Sequence, residues 1–343
     1  MIRQIEPDKF VEQSTHYPVI DVRSPGEFRQ GHIPGATNIP LFSDAERAIV
    51  GKLYVESGKD NAILKGLDYA LPKADWYLEC LRQIISPCQI LLYCWRGGMR
   101  SAVMAEVFSK GGFEVNLLNG GYKAYRRYIR GKLGCQARII VLGGFTGSGK
   151  TELLKAIASK GEQVIDLEKL ACHKGSVFGA LGQPEQPTNE QFENNLYACW
   201  SEMDISRFVW LEDESRMIGR VTLPDPIVEH ISNGLLIRVE LDKEIRINRL
   251  VMEYARFEKQ LLAEAICIIG ERLGSERTKE AIIALENNQF DVVAAIVLSY
   301  YDKSYLFSMT RRGCKKTHDI LISGVDMETD ASQIIEFSYK LST

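Results

Sequence analysis

Apolar residues fall into two rhythms along the chain. Short continuous apolar runs closed by turn formers predict buried strands at YPVIDV (17–22), QILLY (89–93) and within FEVNLLNGG (113–121). The same signal returns in ARIIVLGG (137–144), EQVIDLE (162–168), RFVWLEDES (207–215), GLLIRVELD (234–242) and HDILISGV (318–325). Between them, apolar positions recur at helical spacing, as in Ala48, Ile49 and Leu53, and again in Ala62, Ile63 and Leu67. Residues 42–88 therefore read as a mostly helical insertion, 101–110 and 330–341 as helices, and about 245–305 as an almost unbroken helical region. Strands alternating with helices predict parallel sheets covered on their faces, an α/β architecture. We place a first domain at 1–130 and a second at 131–343, with the helical insertion at about 245–305.

Length and composition agree with two soluble domains: 343 residues, 45% hydrophobic and 25% charged. No apolar run reaches the roughly 18 residues of a membrane helix, and the start MIRQIEPDKF has no export-signal pattern, so no membrane role and a cytoplasmic location are expected. The eight cysteines include no C-x-x-C pair, which points to reduced thiols rather than a disulfide framework or a zinc site. Charge divides unevenly. The net charge is −3 overall, but residues 1–130 carry +3 and the remainder −6. A local basic stripe can hold nucleic acid on an acidic protein, since screening confines each contact to about 10 Å.

Two motifs carry chemistry. CWRGGMRS (94–101) puts a cysteine at the tip of a predicted strand, then a glycine-containing loop and a helix start. Loop N–H groups and a helix N-terminus together hold an anion, and such a field favours a reactive thiolate. Cys94 and Arg100 are the expected catalytic groups, and Trp95, Arg96, Gly97, Gly98 and Met99 form the anion loop. GGFTGSGKT contains G-x-x-x-x-G-K-[ST] between a predicted strand and a predicted helix, the context a phosphate-binding P-loop requires. There Gly144, Thr146, Gly147, Ser148, Gly149, Lys150 and Thr151 are expected to cradle phosphates, with Lys150 on the terminal ones. Thr151, and Glu212 and Asp213 at the acidic end of FVWLEDES, are the expected Mg²⁺ ligands. Glu214 and Ser215 read as helix caps or as further members of that acidic end. His173, near Lys174 and Ser176, reads as a buried structural histidine.

A basic helix follows the first domain. YKAYRRYIRGK carries Lys123, Arg126, Arg127 and Arg130 with Tyr122, Tyr125 and Tyr128 interleaved, a pattern able to grip RNA phosphates and stack on splayed bases, or to form an interdomain seam. RRGCKK (311–316) is a second basic cluster or an exposed turn.

DVRSPGEFRQGHIPGATNIP, the cysteine loop and the closing LNGGYKAY together resemble the rhodanese homology domain over roughly residues 1–130. The resemblance implies a persulfide-type sulfur or selenium carrier at Cys94, and leaves Asp21, Arg23 and His32 as loop braces. Arg100 lies one position further from Cys94 than in many single-domain sulfurtransferases. That spacing is shared with cysteine phosphatases, whereas Tyr93 stands where they carry histidine. A cradle of that size also suits selenophosphate.

With DLEKLACHKGSVFGALG (166–182), QPTNEQFE (186–193) and WLEDESRMIG (210–219), the whole chain resembles the tRNA 2-selenouridine synthase family, a rhodanese-like domain followed by a P-loop NTPase-like parallel-sheet domain with a helical subregion. The resemblance implies a transferase that replaces sulfur by selenium at C2 of a modified wobble 2-thiouridine in tRNA. Its co-substrates are selenophosphate and geranyl diphosphate, the latter alkylating the sulfur first, with Mg²⁺ and no tightly bound cofactor. The other readings are a P-loop small-molecule kinase with a rhodanese-like or phosphatase-like regulatory domain, and a noncatalytic signalling module.

Overall fold

The computed structural model describes residues 1–86, 88–312 and 317–342. They form two compact units, Met1–Leu133 with Glu193–Ala198, and Gly134–Phe192 with Cys199–Thr343.

The first unit is built on five parallel strands, β1 (Ile2–Ile5), β2 (Val19–Asp21), β3 (Thr37–Asn38), β4 (Gln89–Tyr93) and β5 (Glu114–Leu118). Their order across the sheet is β1-β5-β4-β2-β3. Both faces are covered, so the central β4 is apolar along its length rather than alternating, and Ile90, Leu91, Leu92 and Tyr93 are fully buried. The helical insertion is real: Asp44–Glu56, Gly58–Ala70 and Ala74–Ile84. Ser43 and Glu46 close a reciprocal cap at the first of these helices, as Ser24 and Glu27 do at Pro25–Gln30.

The second unit also holds a five-stranded parallel sheet, from β6 (Arg138–Gly144), β7 (Gln163–Ile165), β8 (Phe208–Glu212), β11 (Leu235–Glu240) and β12 (Thr317–Leu321), ordered β12-β11-β6-β8-β7. The short antiparallel hairpin β9 (Met217–Ile218) and β10 (Val221–Thr222) stands apart from it. The chain leaves β6 toward one edge and returns to the other side at β11, so the carboxyl ends of β6 and β8 border the crevice where such sheets bind ligands.

The helical region comprises Lys243–Tyr254, Lys259–Ile268, Gly270–Leu273, Ser275–Glu286 and Phe290–Arg312. It has its own apolar core around Leu262, Ile266, Ala281, Leu285 and Val297. In RRGCKK, 313–316 lie outside the described residues. Among the described residues no helix is long and apolar enough to cross a membrane.

Candidate active sites

In the first unit, β4 delivers Cys94 at its carboxyl end and the helix Met99–Lys110 follows the loop. The loop is pinned from below. The Tyr122 N–H donates to the Cys94 carbonyl at 2.8 Å and the Lys123 N–H to that of Trp95 at 3.0 Å. Gly97 sits at φ +65°, and a Cβ there would lie 2.8 Å from the Leu118 carbonyl oxygen, so the LNGG turn and the cysteine loop require glycine where they touch. Cys94 Sγ lies 3.2 Å from Ser101 Oγ, which donates to the Gly98 carbonyl at 2.9 Å.

Beneath the loop, Asp21 and Arg23 form a fully buried ion pair. Arg23 Nη2 donates to Asp21 Oδ2 at 2.6 Å and to the Gly31 carbonyl at 2.6 Å, and its guanidinium lies 3.9 Å from the Tyr122 ring centre. Burial alone would ease its proton off; Asp21 outweighs burial and holds Arg23 firmly charged. The bracing role expected for this pair is the one it fills. His32 Nδ1 lies 3.0 Å from the Phe28 carbonyl, with its ring stacked on Phe28.

Arg100 is held differently from a freely reaching anion clamp. It donates to both carboxylate oxygens of Glu27, at 2.6 and 3.2 Å. Burial pushes the Glu27 carboxyl up, but the hydrogen bonds and charge of Arg100 prevail and hold it below 4.5.

Cys94, Trp95, Arg96, Gly98, Met99 and Arg100 all border one cavity of about 560 Å³; Gly97 instead packs against the turn at 118–121. The remaining wall comes from the helical insertion, to which the sequence reading assigned no function. Tyr54 and Met99 on this cavity are 58% and 45% exposed.

The basic helix, Gly121–Leu133, divides its cations. Lys123, Arg127 and Arg130 are exposed. Arg126 corrects the expectation of an RNA contact. It is buried, donating to Asn194 Oδ1 at 2.6 Å and pairing with Glu193, which also accepts from Arg130 Nε at 2.9 Å. Tyr122 and Tyr125 are buried as well, stacked on each other, which removes them from base stacking.

In the second unit the P-loop follows β6, and the helix Lys150–Ser159 starts from Gly149 at φ +80°. Lys150 Nζ donates to the Gly144 carbonyl at 3.1 Å, and Thr151 Oγ1 to Glu168 Oε2 at 3.1 Å. Ligand atoms of Glu168, Glu212 and Glu214 lie within 4.8 Å of one another. Burial pushes all three carboxyls up and the neighbouring acids push them further, Glu214 to about 8, with Lys150 opposing. Glu212 Oε2 is buried without a hydrogen-bond partner. Three crowded carboxylates, one orphaned oxygen and an adjacent hydroxyl make a donor set of hard oxygens that fits a divalent cation of the Mg²⁺ type.

Of the expected ligands, Asp213 alone is placed outside this cluster. Its Oδ2 accepts from the Tyr305 hydroxyl at 2.8 Å, and that hydroxyl accepts the Gly144 N–H at 3.1 Å, so Asp213 supports the start of the P-loop. Glu214 belongs to the carboxylate cluster rather than to a helix cap, while Ser215 Oγ donates to the Met217 carbonyl at 2.7 Å. His173 is buried against Gly179 and Gly219. Gln186 ties Ala171, Ile218 and Arg220 together through both ends of its amide, and Lys174 pairs with Glu253.

Comparison with known proteins gives two family matches. A family described as "tRNA 2-selenouridine synthase AAA domain" matches residues 137–284, and "Rhodanese-like domain" matches residues 6–128. The tRNA 2-selenouridine synthase of Sulfurovum sp. (strain NBC37-1) is 36% identical, over 92% of this chain and 93% of its own. That of Nitrosomonas europaea is 32% identical over 86% and 90%, and that of Hydrogenovibrio crunogenus 34% over 87% and 91%.

Proposed function

The chain belongs to the tRNA 2-selenouridine synthase family, and on that premise we propose that it is a transferase replacing the C2 sulfur of a modified wobble 2-thiouridine in tRNA by selenium, in two steps. In the first, the thiouridine sulfur attacks C1 of geranyl diphosphate. The carbon–oxygen bond breaks and diphosphate leaves with its electrons. In the second, selenium of selenophosphate attacks C2. The C2–Se bond forms, the C2–S bond breaks, and geranyl thiolate leaves and takes up a proton. Water then cleaves the Se–P bond and releases phosphate.

The observation that carries this reading is the presence, in one chain, of a cysteine loop shaped for an anion and a P-loop beside a carboxylate cluster. Thiocarbonyl sulfur leaves poorly, whereas an alkylated sulfur leaves as a thiol, so alkylation must precede exchange. In the first step the N–H groups of 146–151 and Lys150 bind diphosphate and neutralise the charge that develops as it departs. Glu168, Glu212, Glu214 and Thr151 would hold Mg²⁺. Bound there, the ion supplies charge neutralisation to the diphosphate. In the second step Cys94 holds or positions the selenium donor, and Ser101 holds the thiol in place. Lys123, Arg127 and Arg130 present an exposed basic face to the RNA backbone. We assign the reaction to the cytoplasm, where tRNA is matured.

The test follows nucleosides by mass spectrometry. Wild type, Cys94→Ala and Lys150→Ala are incubated with 2-thiouridine tRNA, geranyl diphosphate and Mg²⁺, then with selenophosphate. Lys150→Ala is expected to lose geranylation yet selenate a pre-geranylated tRNA, and Cys94→Ala to do the reverse. Equal loss of both steps in both variants refutes the division of labour. An unchanged nucleoside with wild type refutes the reaction, and ATP consumption without tRNA would then favour a kinase.

A further inference from the structure

The cavity at the cysteine loop is far larger than an anion needs. At about 560 Å³ it lies within the range of small-ligand sites, about 300–1,000 Å³. A tetrahedral oxyanion has about the bulk of two or three waters, at about 30 Å³ each, and would leave most of it empty. The wall away from the loop is apolar: Phe42, Val50, Tyr54, Ala62, Ile63 and Val103. The charged residues that border it are all cations, Arg47, Lys59, Arg96 and Arg100; Glu27, which does not line it, pairs with Arg100 and Arg47, which leaves Arg96 and Lys59 as the cations offered to an anion. An apolar chamber with Cys94 and Arg96 on its loop side is complementary to an amphiphile whose polar end sits at the loop and whose chain is hydrocarbon.

The geometry points to this cavity as the site that receives the hydrocarbon chain of the S-alkylated uridine, holding it while sulfur leaves. The inference rests on the alkylation route proposed above and extends it: the first unit distinguishes alkylated from unalkylated base, so exchange follows alkylation by recognition as well as by reactivity. In the exchange the C2–S electron pair goes to sulfur, and the cations beside Cys94 stabilise the thiolate until it is protonated. Each methylene withdrawn from water contributes about 0.8 kcal/mol, a factor of about four, so replacing a ten-carbon chain by methyl should weaken apparent affinity by at least about 100-fold.

The experiment uses the full chain, selenophosphate, and two preformed tRNAs bearing S-geranyl-2-thiouridine or S-methyl-2-thiouridine at the wobble position, with KM and kcat read separately. Wild type is expected to prefer the geranyl substrate by at least about 100-fold in KM. Ala62→Phe, which fills the buried centre of the wall, should abolish that preference while S-methyl selenation continues, which also reports that the variant is folded. Val50→Phe fills the cavity from the other helix of the wall and should act in the same direction if Ala62→Phe fails to fold. A geranyl preference that both fillings leave intact overturns the inference alone. Fillings that abolish geranylation from geranyl diphosphate and spare selenation also overturn it, because they would seat the prenyl donor here. Wild type that exchanges neither S-alkyl tRNA but selenates 2-thiouridine tRNA directly overturns the alkylation route and this inference together.

Discussion

Asp21→Ala tests whether the cysteine loop stands on the buried pair beneath it. Both partners are fully buried, and the carboxylate accepts the Arg23 N–H at 2.9 Å, Nε at 3.0 Å and Nη2 at 2.6 Å. Removing it leaves the guanidinium with the Gly31 carbonyl and the Tyr93, Trp95 and Tyr122 rings, none of them a counter-charge, while Arg23 Nη1 is already buried without a bond. An uncompensated buried charge of this kind costs about 3–5 kcal/mol. At about 1.4 kcal/mol per factor of ten, the opening equilibrium of the first sheet should shift by about 10²–10⁴-fold. Hydrogen exchange on the full chain reads this directly: amides of β4 (Gln89–Tyr93) should exchange faster by that factor, while those of β6 (Arg138–Gly144) in the other unit serve as internal reference. The double variant Asp21→Leu, Arg23→Met removes both charges. It should lose less than the single one, because the Arg23 N–H and the Tyr93 hydroxyl lose their Asp21 acceptor in both, and the double variant exchanges the buried unpaired guanidinium for one unpaired Gly31 carbonyl, at about 1–3 kcal/mol. Acceleration below tenfold in the single variant, or a larger loss in the double, would show that burial of this pair does not hold the loop's floor.

Three further outcomes are expected. Glu27→Gln should lower the melting temperature by about 2–5 °C near neutral pH. Because Arg100 holds the wild-type carboxyl below its ordinary value, its contribution is complete above the ordinary carboxylate range and lost as pH falls through the lowered value, so the two melting curves should converge in acid; a gap that stays constant on acidification contradicts the assignment. Replacing Lys123 and Arg127 together by alanine should reduce the slope of log affinity for tRNA against log salt by about 1.4–1.8, as expected for two lost phosphate contacts; an unchanged slope removes this helix from the RNA interface. Mg²⁺ should raise the melting temperature of wild type, by the equivalent of about 2.7 kcal/mol at a hundred times its dissociation constant, and Glu212→Ala should abolish the rise; equal stabilisation of both places the cation elsewhere.

Local rhythm made three strands of the first sheet and all five of the second legible, because a parallel strand buried on two faces is a continuous apolar run; β1, polar at its centre, and the two-residue β3 carry no such run. The boundaries moved where backbone chemistry intervened. The first predicted strand begins at Val19 rather than Tyr17, since Pro18 has no N–H to give a ladder and contributes only its carbonyl, to Leu91. Long-range pairing was not legible. Arg126 shares its helix with the exposed cations, and its partner Glu193 lies 67 positions away, so no local pattern separates a buried brace from an RNA contact.

The acidic run LEDE posed the same difficulty at the second site. Three consecutive acids end β8, but which of them meet depends on the turn after Glu212 and on Glu168, which arrives from beyond β7. Asp213 faces Tyr305 on the helix Phe290–Arg312, so of the two acids expected from the strand end Glu212 joins the cluster and Asp213 does not. The orphaned Glu212 oxygen could not have been read from residue spacing, yet it sets this cluster apart from an ordinary acidic surface. Exposed acids keep their water, whereas Glu212 is buried with one oxygen unpartnered and two other carboxylates nearby. A divalent cation relieves both costs at once. Removing Glu212 should therefore cost more in the presence of Mg²⁺ than in its absence, the reverse of what a merely repulsive cluster would show.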